Sequence, residues 1–326
     1  VYDNYGCRLV VIPPEASDIL GSAQTNSWSS KTNSTLKDLA YLYKYDAYNR
    51  CIAKKMPGCS WAFYVYDRSG QLIFSQDGEQ RNRGEWLFSI PDAFNRICLT
   101  GLCSNQINAL DDNALPDKVK ATRDNAALTY RGYTISGVTL NIPKLLSVNY
   151  YDNYDFLNYN WAHEFEEYDF TYKSENGYDT QHSVNPTGLS TGTLTAILNN
   201  SSVSYIATIK YYDYRKRVIQ TVSGNHLHNG GDREYLAYNF SGQPVRRRHV
   251  HAYDQQERLS EEYAYTYDHG GRLTKTEHQL TEISNAGVET KKPSMTLANY
   301  SYDELGRILS LSKGNTSSLT TSYAYN

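Results

Sequence analysis

"YSYDELGRILSLSKG", residues 300 to 314, sets a Tyr-Asp pair two residues ahead of Gly-Arg and then runs into apolar and hydroxyl residues. Local physical chemistry accounts for that spacing. Asp303 suits the first position of a type I turn, where its carboxylate accepts turn amides. Gly306, at the fourth position, takes the positive φ that forms a G1 bulge, one of the common three-residue hairpin loops. Asp303 and Arg307 then face each other across the hairpin, an opposite-charge pair contributing roughly 0.2–1 kcal/mol. Tyr302 and Ile308 fall together on the other face. All four residues are explained by a turn, without any reaction.

The unit recurs along the chain. It appears as Asp3-Gly6, Asp46-Asn49-Arg50, Asp67-Gly70-Gln71 and Asp92-Asn95-Arg96, and again as Asn239-Gly242-Gln243, Asp268-Gly271-Arg272 and Asp303-Gly306-Arg307. Two looser copies are Asp213-Lys216-Arg217 and Asp254-Glu257-Arg258. Where Gly is missing from the first seven, Asn replaces it, the next residue most tolerant of positive φ. A backbone requirement makes that trade; a ligand-binding requirement would not. Tyr precedes the Asp or Asn in eight of the nine copies, Pro91 being the exception. A second Tyr often stands two residues earlier on the same strand face, as at Tyr43, Tyr64, Tyr265 and Tyr300.

These repeats resemble the YD repeats of the Rhs family, bacterial proteins related to the shell components of insecticidal toxin complexes and to animal teneurins. The resemblance rests on "YKYDAYNRCIAKKMPG", "YVYDRSGQLIFSQDG", "YTYDHGGRLTKTEH" and "YSYDELGRILSLSKG", and covers residues 1–14, 43–101 and 209–326. It implies β-hairpins linked into a long spiralling sheet, which at full length can close into a shell around a C-terminal cargo, often a toxin. It also implies a secreted or cell-surface location and, as partners, the flanking repeats and C-terminal domain of a longer parent chain. The expected fold is therefore all-β: tandem hairpins in an open, curved, spiralling antiparallel sheet, with a short helical or irregular insertion in the middle. The chain opens inside one repeat at Val1-Tyr2-Asp3 and closes inside another at Tyr323-Ala324-Tyr325-Asn326, which reads as a section of a longer protein. Cut strand edges would then give weak self-association.

Composition agrees. The 326 residues include 31 Tyr but only 2 Met, and mean hydropathy is −0.64. Tyr suits strands, packs a large ring and keeps a hydroxyl for water or a neighbour. A thin wall with two wet faces would use it heavily. Net charge is −3, so the basic run Arg246-Arg247-Arg248 reads as a solvated strand face rather than a nucleic-acid site. No apolar stretch approaches the roughly 18 residues needed to span a membrane.

Three divisions follow: N-terminal repeats over 1–101, an irregular insertion over 102–208, and C-terminal repeats over 209–326. Within the insertion, "ALPDKVKATRD" (114–124) reads as a short helix with Pro116 in its first turn and Val119 inward. Tyr151-Asp152 lacks Gly and Arg and is a degenerate copy. Residues 158–190 form a loop or insertion, and residues 191–213 a hairpin turning at Asn199-Asn200-Ser201-Ser202.

Candidate chemistry is sparse. His226-x-His228 and His249-x-His251 would each put two imidazoles on one strand face, with Asp232 nearby, but no third ligand lies at a characteristic spacing and no metal or cofactor is assigned. Glu164, Glu166 and Glu167 could act as an acid–base pair, but nothing about their polar setting shifts a pKa. No nucleophile elbow, phosphate-binding glycine loop or Cys-x-x-Cys occurs. "NPTGL" (185–189) faintly resembles the tail of the family's self-cleaving core, without its Asp-Pro or its position, so self-cleavage is not carried over. In "RICLTGLC", a two-residue turn at Thr100-Gly101 would set Cys98 opposite Cys103 for a disulfide; the alternative is two small buried residues.

Two functions stay open. One is a non-enzymatic section of a β-shell that encloses or presents a C-terminal segment. The other is a carbohydrate-binding surface of stacked Tyr. Tyr rings packed on the next hairpin would favour the wall; evenly spaced exposed rings beside Asp or Arg would favour sugar.

Overall fold

The computed structural model describes all residues except 22–33, 112–113, 116, 125, 159–168, 199–203, 226–229, 254–255, 315–318 and 326. The chain divides into two compact units, Val1–Val148 and Asn149–Asn326. The divisions expected after residues 101 and 208 fall instead inside strands, Ile97–Cys103 and Ser204–Tyr212. Among the described residues nineteen strands lie in antiparallel ladders and two form a separate hairpin, so the fold is all-β, as the repeats require.

In the first unit, strands follow one another in chain order. They are β1 (Val10–Val11), β2 (Tyr41–Tyr45), β3 (Cys51–Lys55), β4 (Ala62–Tyr66), β5 (Leu72–Gln76), β6 (Trp86–Pro91) and β7 (Ile97–Cys103). Each pairs antiparallel with the next. The far side of β7 pairs with Lys144–Val148 of β10 (Lys144–Tyr151). Phe74, Phe88, Ile90 and Leu99 are fully buried along this ladder. Two short helices, α1 (Pro14–Leu20) and α2 (Ser34–Leu39), cover its first strands, packing Leu36 and Ala40 on Leu42 with Val10, Ile12, Leu20 and Trp61 around them. A third, α3 (Gly78–Asn82), is started by a capping box in which Asp77 and Gln80 bond each other's backbone N–H.

The helix expected over 114–124 does not form. Lys120–Arg123 is a strand, β8, paired with β9 (Tyr133–Ser136). The reason is periodicity: Val119 and Ala121 are buried while Lys120 and Thr122 are exposed, a strict alternation that a helix cannot satisfy. Pro116, which suggested the helix start, lies outside the described residues.

The second unit is a longer ladder. It runs β11 (Ser190–Ile197), β12 (Ser204–Tyr212), β13 (Val218–Asn225), β14 (Gly230–Tyr238), β15 (Pro244–Tyr253), β16 (Gln256–Tyr267) and β17 (Leu273–Ile283). β18 (Glu289–Lys291) and β19 (Met295–Tyr302) both pair with β17, and β20 (Ile308–Lys313) and β21 (Thr320–Ser322) follow. The hairpin expected over 191–213 is β11–β12; its turn lies outside the described residues. Leu194, Ile209, Val222 and Val250 form the buried face, and further along, β19 alternates exposed and half-buried positions.

Every well-formed repeat carries a second irregularity beyond its turn. In the last one, Ser301 faces Ser310 but Tyr302 faces Ile308, so Leu309 has no partner across the ladder. The same slip follows the turns at Asp46, Asp67, Asp92, Asp213, Asn239 and Asp268. Such bulges bend a strand and increase its right-handed twist. Ile73, Cys98 and Ile219 occupy the slipped position and are almost fully buried.

Candidate functional site: interlocked turns and a histidine cluster

Seven turn residues, Gly6, Asn49, Gly70, Asn95, Gly242, Gly271 and Gly306, have φ between 61° and 86°. Lys216, in a copy that reads as looser, adopts φ 64° and completes a full turn. In the turns that pair Asp with Arg, one carboxylate does three things. In the turn of Asp303, Oδ1 accepts the N–H groups of Leu305 (2.9 Å) and Arg307 (2.8 Å), and Oδ2 accepts Arg307 Nε at 2.7 Å. Asp46–Arg50, Asp92–Arg96, Asp213–Arg217 and Asp268–Arg272 repeat the Nε–Oδ2 bond at 2.6, 2.7, 2.7 and 2.7 Å. Where Gln71 replaces Arg, the spare Oδ2 of buried Asp67 takes the N–H of Val119 at 2.9 Å.

The copy expected at Asp254 is absent as a turn of this kind. Tyr253 pairs directly with Gln256 and Ala252 with Glu257, so Glu257 and Arg258 lie within β16; Asp254 itself lies outside the described residues.

Consecutive turns interlock, which sequence spacing alone does not disclose. The pre-turn Tyr hydroxyl of one hairpin donates to the carbonyl of the residue just past the Arg or Gln of the hairpin before it. Tyr66 reaches Cys51 at 3.1 Å, and Tyr238, Tyr267, Tyr302 and Tyr325 reach Val218, Pro244, Leu273 and Ile308 at 2.8 Å each. In return, the earlier Arg donates forward to the carbonyl of the next turn's Asp or Asn: Arg50 to Asp67 (3.1 Å), Arg217 to Asn239 (3.3 Å) and Arg272 to Asp303 (3.2 Å). Its guanidinium lies over that hairpin's Tyr ring, at 5.0 Å for Arg50 on Tyr66, 4.5 Å for Arg217 on Tyr238 and 4.9 Å for Arg272 on Tyr302. Desolvation raises the Tyr66, Tyr238, Tyr267 and Tyr302 phenols above their ordinary range, which keeps each one a hydrogen-bond donor.

The degenerate Tyr151-Asp152 copy is a turn cut open by an excursion. Asp152 N–H donates to Leu189 O at 3.1 Å and Gly188 N–H to Asp152 Oδ1 at 2.7 Å, so Gly188-Leu189 stand where Gly-Arg would. Tyr212 of the following hairpin donates to Ser190 O at 2.6 Å, the same linkage as elsewhere. Residues 169–173, within that excursion, are fastened to the second unit's sheet by buried polar side chains. Fully buried Arg233 donates to Thr171 O (2.7 Å) and to Asp169 O, Gln220 Nε2 to Lys173 O (2.9 Å) and Tyr211 to Phe170 O (2.7 Å).

The disulfide between Cys98 and Cys103 is overturned. Thr100-Gly101 is the middle of β7, not a turn, and a strand rising about 3.3 Å per residue holds the two thiols far apart. Both thiols are free and buried, and Cys98 fills the slipped position that Ile73 and Ile219 fill elsewhere. Burial pushes its thiol up to about 11.

Of the histidine pairs, His226 and His228 lie outside the described residues, as do Glu164, Glu166 and Glu167. His249 and His251 share one face of β15, and cross-strand pairing puts Asp232 of β14 opposite His251. His251 Nδ1 is 2.6 Å from Asp232 Oδ1 and His249 Nε2 is 3.8 Å from the same oxygen. The two rings are 4.0 Å apart. Desolvation and the neighbouring His251 lower the His249 pKa, partly offset by Asp232 and Glu234.

No protein-family model matches the sequence. No curated protein matches it. Solved structures of TcdB2-TccC3 are similar to it. The complex with Cdc42 matches at 13% identity and a TM-score of 0.40, over 96% of this chain and 14% of that one. The form without the hypervariable C-terminal region gives the same values. TcdB2-TccC3-TEV matches at 11% identity and 0.35, over 95% and 15%. The chain thus spans about a seventh of those proteins' length.

Proposed function

We propose that the chain is a non-enzymatic section of a wall in a larger, secreted or surface-exposed YD-repeat protein, where it helps to enclose or present another segment. One observation carries this reading. The residues that give the repeat its signature, Tyr, Asp and Arg, are committed to their own turn and to the neighbouring one. Such bonding propagates hairpin by hairpin and leaves these groups unavailable to a ligand. Stability then accumulates through nearest-neighbour interfaces, as repeat architectures require. The chain's short share of the TcdB2-TccC3 structures accords with a section rather than a whole.

A second reading has its own support. Beside the half-buried pre-turn Tyr66, Tyr238, Tyr267 and Tyr302, a different set of rings stands exposed at the turn tips: Tyr48, Phe94, Tyr214 and Phe240. Arg215 is placed against both Tyr214 and Phe240, at 5.4 and 5.1 Å. Stacked rings beside donors suit a sugar face. A glycan panel titrated against the chain separates the two readings. The wall predicts no saturable binding; binding abolished by Tyr214→Ala with Phe240→Ala, in a variant of unchanged stability, would replace it with the carbohydrate surface.

A further inference from the structure

Asp232, His249 and His251 stand apart from the interlocked turns. Their side chains, half-buried on adjacent strands, place one ligand atom each within 4.8 Å of one another. Around a tetrahedral ion with metal–nitrogen bonds near 2.0–2.1 Å, ligand atoms sit roughly 3–3.5 Å apart, a change that side-chain torsions alone can supply. The backbone already fixes the rest. His249 and His251 alternate onto one face, and antiparallel register brings the carboxylate against them.

The donors decide the class of ion. Two imidazole nitrogens and one carboxylate oxygen suit zinc, copper, nickel or iron, whereas calcium and magnesium take oxygen sets. The surroundings fit a cation too. Glu234 and Glu261 lie opposite His249 on the strands to either side. Glu234 is paired with Arg247, and Glu261 lies 3.8 Å from His278. His251 remains 40% exposed, which leaves a coordination position open to solvent.

We propose that Asp232, His249 and His251 form a divalent transition-metal site that clips β14 to β15 and keeps one position open for water or an external ligand. The site is independent of the wall reading: a wall section with or without a bound ion remains a wall section.

Calorimetric titration of the metal-free chain with zinc chloride tests it, alongside thermal unfolding with and without zinc. The expected result is one equivalent bound and a melting temperature raised by zinc, with no response to magnesium. His249→Ala and His251→Ala should each weaken binding by at least about 100-fold, the upper end of what even an outer-shell change costs. His251→Gln, which keeps size and polarity, should weaken it as well, and circular dichroism of each variant separates loss of the site from loss of the fold. A paired His226→Ala, His228→Ala variant should bind as the unaltered chain does. No saturable zinc binding, undiminished binding after both strand histidines are replaced, or loss on replacing only His226 and His228 would each overturn the proposal.

Discussion

Arg272 belongs to one turn and serves two: it holds Asp268 through Nε at 2.7 Å and reaches forward to Asp303 O at 3.2 Å. The same side chain therefore closes its own hairpin and fixes the position of the next. Lys in its place would keep the charge but lose the planar fork that makes both bonds. The Tyr-Asp-Gly-Arg signature is thus a joint between hairpins as well as a turn.

The left-handed turn position yields paired changes of opposite sign. Gly306→Val places a branched side chain at φ 82° and should destabilise its hairpin by about 1–3 kcal/mol. Lys216→Gly relieves a left-handed Lys worth roughly 1–2 kcal/mol. It also gives up the Lys216 Nζ bond to Thr187 O, an exposed contact of under about 1 kcal/mol. The urea midpoint should fall for the first variant and rise modestly for the second.

Thiol labelling should follow burial. Cys59 is exposed and should react first; Cys98 and Cys103 are buried and should react last, Cys98 slowest because its thiol is pushed up to about 11. Denaturing the chain without reductant and alkylating it should label all five cysteines. A species two labels short would restore the bridge between Cys98 and Cys103.

Acid should loosen the second unit. The Asp268 carboxyl is held below its usual value first by the Arg272 amide, against desolvation, and by the Arg272 side chain. For Asp303, desolvation pushes upward but the Arg307 side chain and amide outweigh it. A depressed folded value means the stabilisation is complete above the unfolded carboxyl value of about 3.9 and is lost as pH falls through the lower folded values. The carboxylate contribution to the denaturation midpoint should hold from neutral pH to about 5 and then fall, on top of a loss beginning below about 6.5 because burial keeps the His249 pKa under its unfolded value. Asp303→Asn, which cannot titrate, should show a shallower fall.

The turns were legible in sequence because each is local: five residues specify the carboxylate, the left-handed position and the Arg. What depends on register was not. The slipped residue after each turn makes Cys98 a core residue, although its spacing from Cys103 suggested a hairpin. The alternation at Val119 and Ala121 was hidden behind Pro116, which suggested a helix instead. Asp152 looked degenerate because its Gly188-Leu189 completion lies beyond a long excursion. Asp232 was legible as a carboxylate near the histidine pairs, but only strand pairing shows that it stands opposite His251. Arg233 and Gln220 gave no signal beyond polar residues in strands, yet they fasten the excursion to the sheet.

The central claim is that neighbouring hairpins are energetically coupled through Arg and Tyr, and a double-mutant cycle on Arg272 and Tyr302 measures that coupling directly. The guanidinium lies 4.9 Å over the Tyr302 ring, and the Tyr302 hydroxyl donates to Leu273 O at 2.8 Å. Unfolding would be followed for Arg272→Ala, Tyr302→Leu and the pair together. Interlocked turns predict that the two changes cost less together than their sum, with an interaction of about 0.5–1 kcal/mol or more. Costs that simply add, with no interaction beyond error, would contradict the account and leave the hairpins as independent turns.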